Sequence, residues 1–171
     1  MIRTEQVQDY VQVKQMLIKA FQSEAESRLV EHIRSSPDFI PQWSIVSETD
    51  GIITGHIMLS LGEVIDDNRS YRVACLAPLA VDPAYQRKGI GGELIREALR
   101  RCPQFDIPFV FLIGHPSYYP RFGFVTAAHY GFQLKQFEVP AEVFMVYEIE
   151  EGALNRLKGE LRYSKAFLEL E

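Results

Sequence analysis

The residues with the clearest chemical potential lie in one short segment near the middle of the chain. Residues 86–92 read Gln-Arg-Lys-Gly-Ile-Gly-Gly and follow an apolar run that ends at Val81. A helical pattern comes next, and the N–H groups that open a helix lack partners and carry about half a positive charge. Glycine also lets the backbone approach a ligand without a Cβ. The segment therefore predicts an anion-binding loop, and a phosphate group is the expected ligand.

The glycine spacing excludes two common phosphate loops. The Walker A loop needs a Gly-Lys-Ser/Thr sequence, which this segment lacks. The dinucleotide fingerprint needs a third glycine where this chain has Leu94. The predicted ligand is therefore a phosphate carrier of another kind.

Other residue types with catalytic potential give weaker signals. The four histidines show no His-x-x-x-His spacing, so no metal site is predicted. His56 and His115 are each isolated, and a lone histidine is more often structural than a base. Cys75 lies inside an apolar run, where burial makes a thiol a poor nucleophile, and Cys102 lies beside Pro103. We expect neither cysteine to take part in chemistry.

Length and composition limit the class of protein. The chain has 171 residues, 47% of them hydrophobic, and a formal net charge of −5. We expect residues 1–171 to form a single domain, with a core over about 1–150 and a C-terminal extension over 151–171. The negative charge disfavours binding to nucleic acid or to an anionic membrane and mildly favours a cationic substrate. With two cysteines, no leader pattern and no membrane-spanning run, the sequence predicts a cytoplasmic protein.

The spacing of apolar residues predicts the elements that position the loop. The predicted helices cover residues 10–21, 25–33 and 91–101, and the predicted strands cover 43–46, 56–61, 73–81, 109–113 and 143–149. Pro78 interrupts the longest apolar run, and because proline cannot donate to a ladder we expect an irregular or unpaired backbone there. The predicted fold class is α/β or α+β, with a mixed, mainly antiparallel twisted sheet and flanking helices.

At residues 86–91 the sequence resembles the acetyl-CoA-dependent N-acetyltransferases of the GNAT superfamily, whose signature is Gln/Arg-x-x-Gly-x-Gly/Ala. Residues 79–83, Leu-Ala-Val-Asp-Pro, look like the fourth strand of that family and its following turn. Residues 114–124 resemble a bacterial subgroup of predicted acetyltransferases in which Tyr-Tyr-Pro-Arg-Phe-Gly-Phe follows the fifth strand. The likeness continues to residues 163–167, and it implies a GNAT-like fold.

The resemblance implies two central strands that splay apart and admit the pantetheine arm of acetyl-CoA. The exposed backbone of Leu79 and Val81 would bond that arm, and the amides of residues 87–92 would hold the diphosphate. Arg87 and Lys88 would supply local positive charge. The residues implied to bind the cofactor are Leu79, Ala80, Val81, Gln86, Arg87, Lys88, Gly89, Ile90, Gly91 and Gly92.

The resemblance also implies a general acid at Tyr119, which matches the Tyr-x-x-x-Gly-Phe ending of the family's fourth-helix motif. Residues 114–116, Gly-His-Pro, replace the usual Asn and Ala, so we expect a shorter helix. Tyr118 competes for the role. The alternative for Tyr119 is a packing aromatic beside Phe122 and Phe124.

The implied activity is transfer of an acetyl group from acetyl-CoA to a primary amine, by direct attack in a ternary complex and without a metal. The acceptor is a small-molecule or peptide amine, and a homodimer is left open. Glu24, Glu26 and Glu31 either receive a cationic amine or form the solvated face of the second helix. The alternatives are a non-catalytic acyl-CoA binding or sensing module and a protein-modifying acetyltransferase.

Overall fold

The computed structural model describes residues 1–168, and within them nine strands form one mixed sheet that carries three α-helices. The strands are β1 (Ile2–Thr4), β2 (Phe39–Thr49), β3 (Ile52–Asp66), β4 (Arg69–Val81), β5 (Phe109–Ile113), β6 (Val125–Thr126), β7 (Phe132–Leu134), β8 (Phe144–Glu148) and β9 (Gly159–Arg162). The helices are α1 (Tyr10–Phe21), α2 (Ala25–Arg34) and α3 (Ile90–Arg101). The three predicted helices and five predicted strands are present. The helices differ from the prediction by one residue at most, whereas β2, β3 and β4 extend beyond their predicted bounds. The sequence analysis did not predict the short strands β1, β6, β7 and β9.

The sheet has the order β1-β2-β3-β4-β5-β8-β6, and β9 pairs with β3 and with β7. The β4–β5 and β7–β9 pairs are parallel, and the other pairs are antiparallel. The predicted mixed, mainly antiparallel sheet is therefore confirmed. Within the extension predicted at 151–171, residues 169–171 lie outside the described residues.

Helices cover both faces of the sheet, because successive side chains of a strand point to opposite sides. Ile57 and Leu59 pack in the cluster that contains α3, whereas Met58 packs in the cluster that contains α1 and α2. This arrangement explains why β3 is buried on both faces over most of its length. Among residues 1–168, none of the helices combines the length and the apolar character needed to cross a membrane.

The expected irregularity at Pro78 is a bulge in β4. Ile57 lies opposite Leu79 and Leu59 lies opposite Leu76, so Ala77 and Pro78 together face a single residue of β3. An extra residue in one strand bends that strand and increases its twist.

Beyond the bulge, β4 and β5 separate. They pair at Ala74–Val110 and at Cys75–Phe111. β4 then continues to Val81 and β5 to Ile113 without further pairing to each other. The predicted splayed pair of central strands is present, and we call the space between their ends the β4–β5 gap.

A buried polar network lies beside this region of the sheet. Ser44 donates its hydroxyl hydrogen to Glu5 (2.8 Å) and therefore accepts from Nε2–H of His56 (2.9 Å). Arg34 forms an ion pair with the same Glu5 carboxylate at 2.5 Å. His56 is fully buried, and this burial lowers its pKa to about 3, with a smaller contribution from the charge of Arg34.

This network predicts a loss of stability in acid. Because the pKa of His56 is lower in the folded state, the unfolded chain binds the proton first as the pH falls below about 6.5. The free energy of unfolding should decrease by about 2 kcal/mol between pH 7 and pH 5 through this residue alone. In urea titrations, His56→Gln should lose this part of the pH dependence, and His129→Gln, at an exposed site, should keep it. Equal slopes for wild type and His56→Gln would contradict the assignment.

Candidate cofactor-binding and active site

The backbone of β4 directs polar groups into the β4–β5 gap. The N–H of Asp82 donates to the carbonyl oxygen of Thr54 at the end of the β3–β4 pair (2.8 Å). Along an antiparallel pair, residues that bond to the partner strand alternate with residues whose N–H and C=O point the other way. Leu79 and Val81 therefore point their backbone groups into the gap, whereas Ala80 bonds to β3.

The loop after β4 is held by side chains at its start. The Asp82 carboxylate accepts from the N–H of Ala84 (2.9 Å) and lies 3.3 Å from Nζ of Lys19 in the last turn of α1. Nε2 of Gln86 donates to the carbonyl of Val81 (3.2 Å). The Gln86 side chain therefore hydrogen-bonds the carbonyl group of Val81 at the mouth of the gap.

The N-terminus of α3 presents uncapped amides beside this loop. Gly89 is the N-cap residue with a φ of +84°, a left-handed conformation that favours glycine, and it offers no side chain to cap the helix. The first amide to bond within the helix is that of Glu93, which donates to the carbonyl of Gly89 (3.1 Å). The N–H groups of residues 90–92 precede it and are the groups that an anion would satisfy.

Positive side chains surround these amides. Arg87 and Lys88 are exposed in the loop, and Nζ of Lys88 lies 5.3 Å from the centre of the Tyr85 ring. A third cation is Arg96, whose Nη1 lies 3.3 Å from the position that a Cβ on Gly92 would occupy. Its guanidinium therefore reaches back to the first turn of α3. Arg96 was missed in the sequence, although its spacing of four residues from Gly92 places both on one helix face.

The segment after β5 brings two tyrosines to the same region. Residues 119–122 form a short 3₁₀ helix, as expected from the Gly-His-Pro sequence before it. The Tyr118 hydroxyl lies 2.9 Å from the position of a Cβ on Gly91, and Cγ2 of Val81 lies 3.8 Å from that point. Tyr118 therefore places its hydroxyl between the end of β4 and the first turn of α3.

Tyr119 lies against the end of β5 instead. Its ring carbon Cε2 is so close to Gly114 that a Cβ there would overlap it, and its ring meets Phe124 edge-on at 5.8 Å. Burial raises the pKa of Tyr119 to about 12, with a smaller contribution from Tyr118. Burial also raises the pKa of Tyr118, although Arg121 and Arg96 oppose this effect. Both phenols are therefore protonated at neutral pH.

A separate cavity of about 860 Å³ lies between the end of α2 and the C-terminal segment. Its lining includes Asp38, Glu63 and Lys165 and none of the residues predicted to bind the cofactor. The convergence of backbone amides and cations therefore places the candidate site at the β4–β5 gap and not in this cavity.

The comparisons with known proteins agree with this fold. The family model described as an acetyltransferase (GNAT) domain matches residues 1–127. The chain therefore belongs to the GNAT acetyltransferase family, and the family predicted from the sequence is confirmed.

Two relatives are similar over almost the whole chain. YhbS of Escherichia coli K12, an uncharacterised N-acetyltransferase, is 29% identical over 98% of each chain. The crystal structure of E. coli YhbS in complex with CoA aligns with 100% of this chain over 93% of the YhbS chain, with a TM-score of 0.90 and 28% sequence identity. The crystal structure of a GNAT family acetyltransferase from Brucella melitensis in complex with acetyl-CoA aligns with 98% of this chain over 97% of its own chain. The TM-score is 0.78 and the sequence identity is 28%.

The α3 N-terminus yields a test based on charge. Gly91→Glu and Gly91→Gln add side chains of equal bulk beside the Tyr118 hydroxyl, but only glutamate adds a negative charge. Either variant requires the same small shift of the Tyr118 hydroxyl, and the charge of glutamate near a helix N-terminus adds no cost to folding. We expect Gly91→Glu to bind acetyl-CoA at least about tenfold more weakly than Gly91→Gln in calorimetry, because two like charges are brought together. Equal affinities would show that the diphosphate lies elsewhere.

Proposed function

We propose that this GNAT protein transfers an acetyl group from acetyl-CoA to a primary amine, by direct attack within a ternary complex. The observation that carries the proposal is the β4–β5 gap, whose mouth lies beside the uncapped amides of α3. The two relatives described above were solved with CoA and with acetyl-CoA. Their similarity over the full chain supports the same co-substrate here.

The backbone is proposed to hold the co-substrate. Leu79 and Val81 bond the pantetheine arm through the groups that they direct into the gap, as a strand would bond an added strand. The amides of residues 87–92 donate hydrogen bonds to the diphosphate, and Arg87 and Lys88 supply positive charge. A strand amide near Val81 polarises the thioester carbonyl.

The chemistry then needs few side chains. The neutral amine nitrogen bonds to the thioester carbon, and the carbon–sulfur bond breaks as the tetrahedral intermediate collapses. Residues 73–81 carry no carboxylate or imidazole that could act as a base. A protonated acceptor is therefore proposed to lose one proton through ordered water or before it binds, and the attacking nitrogen releases a second proton to water as the amide forms. Holding both reactants together supplies much of the acceleration.

Tyr119 is proposed as the general acid for the departing thiolate. Its position at the end of β5 places it on the opposite side of the gap from Leu79 and Val81. With a pKa raised to about 12, the phenol stays protonated at neutral pH and is available as a donor. The same shift makes it a weaker acid than a solvated tyrosine, so its hydroxyl is proposed to stabilise the departing thiolate first by hydrogen bonding.

Replacing each tyrosine by phenylalanine should affect a different quantity, kcat for Tyr119 and acetyl-CoA affinity for Tyr118. Tyr119→Phe should lower kcat by roughly 10²–10⁴-fold with little change in acetyl-CoA affinity, because the ring is retained. Tyr118→Phe should instead weaken acetyl-CoA binding by about tenfold or less, because its hydroxyl lies at the first turn of α3.

Both variants should be measured on one acceptor in a chemistry-limited assay, with calorimetry for the affinities. An unchanged kcat in Tyr119→Phe would remove the general-acid role from this residue. A large loss of kcat in Tyr118→Phe alone would move the role by one position.

Direct transfer requires that no cysteine carries the acetyl group. Both thiols are buried, and burial raises the pKa of Cys75 well above its ordinary value and that of Cys102 to about 12. Neither is a thiolate at neutral pH. The double variant Cys75→Ala, Cys102→Ala should keep wild-type kcat within about threefold when it is folded. Mass spectrometry of the wild type with acetyl-CoA alone should show no acetylated cysteine, and a competent acetyl-cysteine would contradict direct transfer.

The acceptor is proposed to approach from the face of the sheet that α1 and α2 cover. Because Lys19 contacts Asp82, the α1–α2 turn lies at the end of the sheet where the gap opens. Oε1 of Glu26, in the first turn of α2, is buried and has no hydrogen-bond partner among residues 1–168. A cationic amine would supply the missing donor.

The other two acidic residues near α2 have partners. Glu24 forms an ion pair with Arg28 (3.2 Å), and Glu31 lies 3.7 Å from Lys14. All four side chains are more than half exposed, so these pairs belong to the solvated face of the helix.

The activity itself is tested by release of free CoA thiol from acetyl-CoA with a panel of amines. The panel should contain cationic diamines, neutral arylamines and peptides with free amino groups. Faster release with cationic members supports the proposal, and fastest release with peptides would assign a protein acceptor. Tight binding of acetyl-CoA without release for any member would favour an acyl-CoA binding or sensing module.

A further inference from the structure

A positively charged cleft lies next to the proposed diphosphate site. It has a volume of about 420 Å³ and opens between α3 and the short 3₁₀ helix at 119–122. It is lined by Arg96, Leu99, Arg100, Arg121, Phe122 and Tyr147. Three guanidinium groups thus meet at one cleft in a chain whose net charge is −5.

Two of these three arginines are available for a ligand. Arg100 forms an ion pair with Glu97 at 2.6 Å, so a carboxylate already compensates its charge. Among residues 1–168, Arg96 and Arg121 have no carboxylate within 4.0 Å.

Aromatic rings hold both free guanidinium groups. The guanidinium of Arg96 lies 5.3 Å from the centre of the Phe122 ring, and that of Arg121 lies 5.5 Å from the centre of the Tyr118 ring. Cation–π contacts of this length restrict the side chains without neutralising their charge. The cleft therefore presents two oriented cations that lack an anion.

The cleft is continuous with the first turn of α3. Nη1 of Arg96 lies 3.3 Å, and Cε1 of Phe122 lies 3.2 Å, from the position of a Cβ on Gly92. The cleft therefore borders the first turn of α3, which carries the uncapped amides of residues 90–92. A ligand that places a diphosphate on those amides and carries a second phosphate nearby would satisfy both sets of donors.

We propose that Arg96 and Arg121 bind the ribose 3′-phosphate of CoA and make the protein selective for CoA over its dephosphorylated form. The proposal rests on the proposed use of acetyl-CoA. The 3′-phosphate sits on the ribose that also bears the diphosphate, and arginine forks match phosphate oxygens. Phe122 and Tyr147 supply flat apolar surface for the attached adenine.

The test compares acetyl-CoA with acetyl-dephospho-CoA, which differ only in the 3′-phosphate. Calorimetry should show that the wild type binds acetyl-CoA about tenfold or more tightly than the dephosphorylated compound, because charge-assisted hydrogen bonds are lost. In Arg96→Gln and in Arg121→Gln this ratio should fall to about threefold or less. Arg69→Gln, an exposed arginine at the start of β4, is the matched control and should keep the full ratio.

The pH dependence gives a second readout. A phosphate monoester gains its second negative charge near pH 6, whereas the diphosphate diester keeps a constant charge there. Affinity for acetyl-CoA should therefore rise between pH 5.5 and 7, and affinity for acetyl-dephospho-CoA should stay flat. Arg96→Gln and Arg121→Gln should weaken the rise, and Arg69→Gln should not.

The ratio of the affinities for acetyl-CoA and acetyl-dephospho-CoA distinguishes a failure of this proposal from a failure of the proposed function. If the wild type binds neither compound, the use of acetyl-CoA itself is wrong. If it binds both equally, acetyl-CoA use stands and the 3′-phosphate site is wrong. If a variant weakens both compounds by the same factor, its arginine serves the diphosphate or the fold, and the proposed selectivity is overturned for that residue.

Discussion

The separation of β4 from β5 is the constraint on which the rest of the site depends. Pro78 has no N–H to donate, and the bulge that contains it places two residues of β4 opposite one residue of β3. Past this point β4 remains bonded to β3 on one side but leaves β5 on the other. The backbone groups of Leu79 and Val81 are consequently directed into a gap instead of into a ladder. A bound extended ligand can complete their hydrogen bonding without displacing a strand.

The two faces of the sheet contribute different groups to the surroundings of this gap. On one face, α3 carries the uncapped amides of its first turn, with the Arg96 guanidinium beside Gly92, and this is where we propose that the anionic groups of the co-substrate bind. On the other face, α1 and α2 cover β4 and bring the buried Glu26 oxygen to the same end of the sheet. A net charge of −5 does not prevent anion binding on the α3 face, because salt screens distant charges over about 8 Å.

The segment between β5 and β6 contacts both α3 and the end of β5. It brings Tyr118 to the first turn of α3, Tyr119 to the end of β5, and Phe122 to the α3 surface beside Gly92. Gly91, Gly92 and Gly114 each allow one of these rings a close approach that a Cβ would obstruct. Adjacent residues on one tight turn therefore reach different parts of the site. This geometry explains why the two tyrosines differ in surroundings although they are neighbours in the chain.

The sequence alone determined the helices, the five longer strands and the glycine-rich start of α3, because these features depend on local rules. Apolar spacing defined α1, α2 and α3 within a few residues, and Pro78 marked the irregularity in β4. The glycines and cations of residues 86–92 predicted an uncapped helix start that attracts an anion. These signals lie within one or two turns of the chain, where spacing and conformation are linked directly.

Only the tertiary structure decided which distant residues meet at the site. The placement of Tyr118 at Gly91, of Tyr119 at Gly114, and of Arg121 near Arg96 depends on how the segment after β5 crosses α3. The burial of His56 likewise depends on helices that are remote in sequence. Contacts of this kind arise from packing between elements, and no local pattern in the chain encodes the direction in which a side chain of one element meets another.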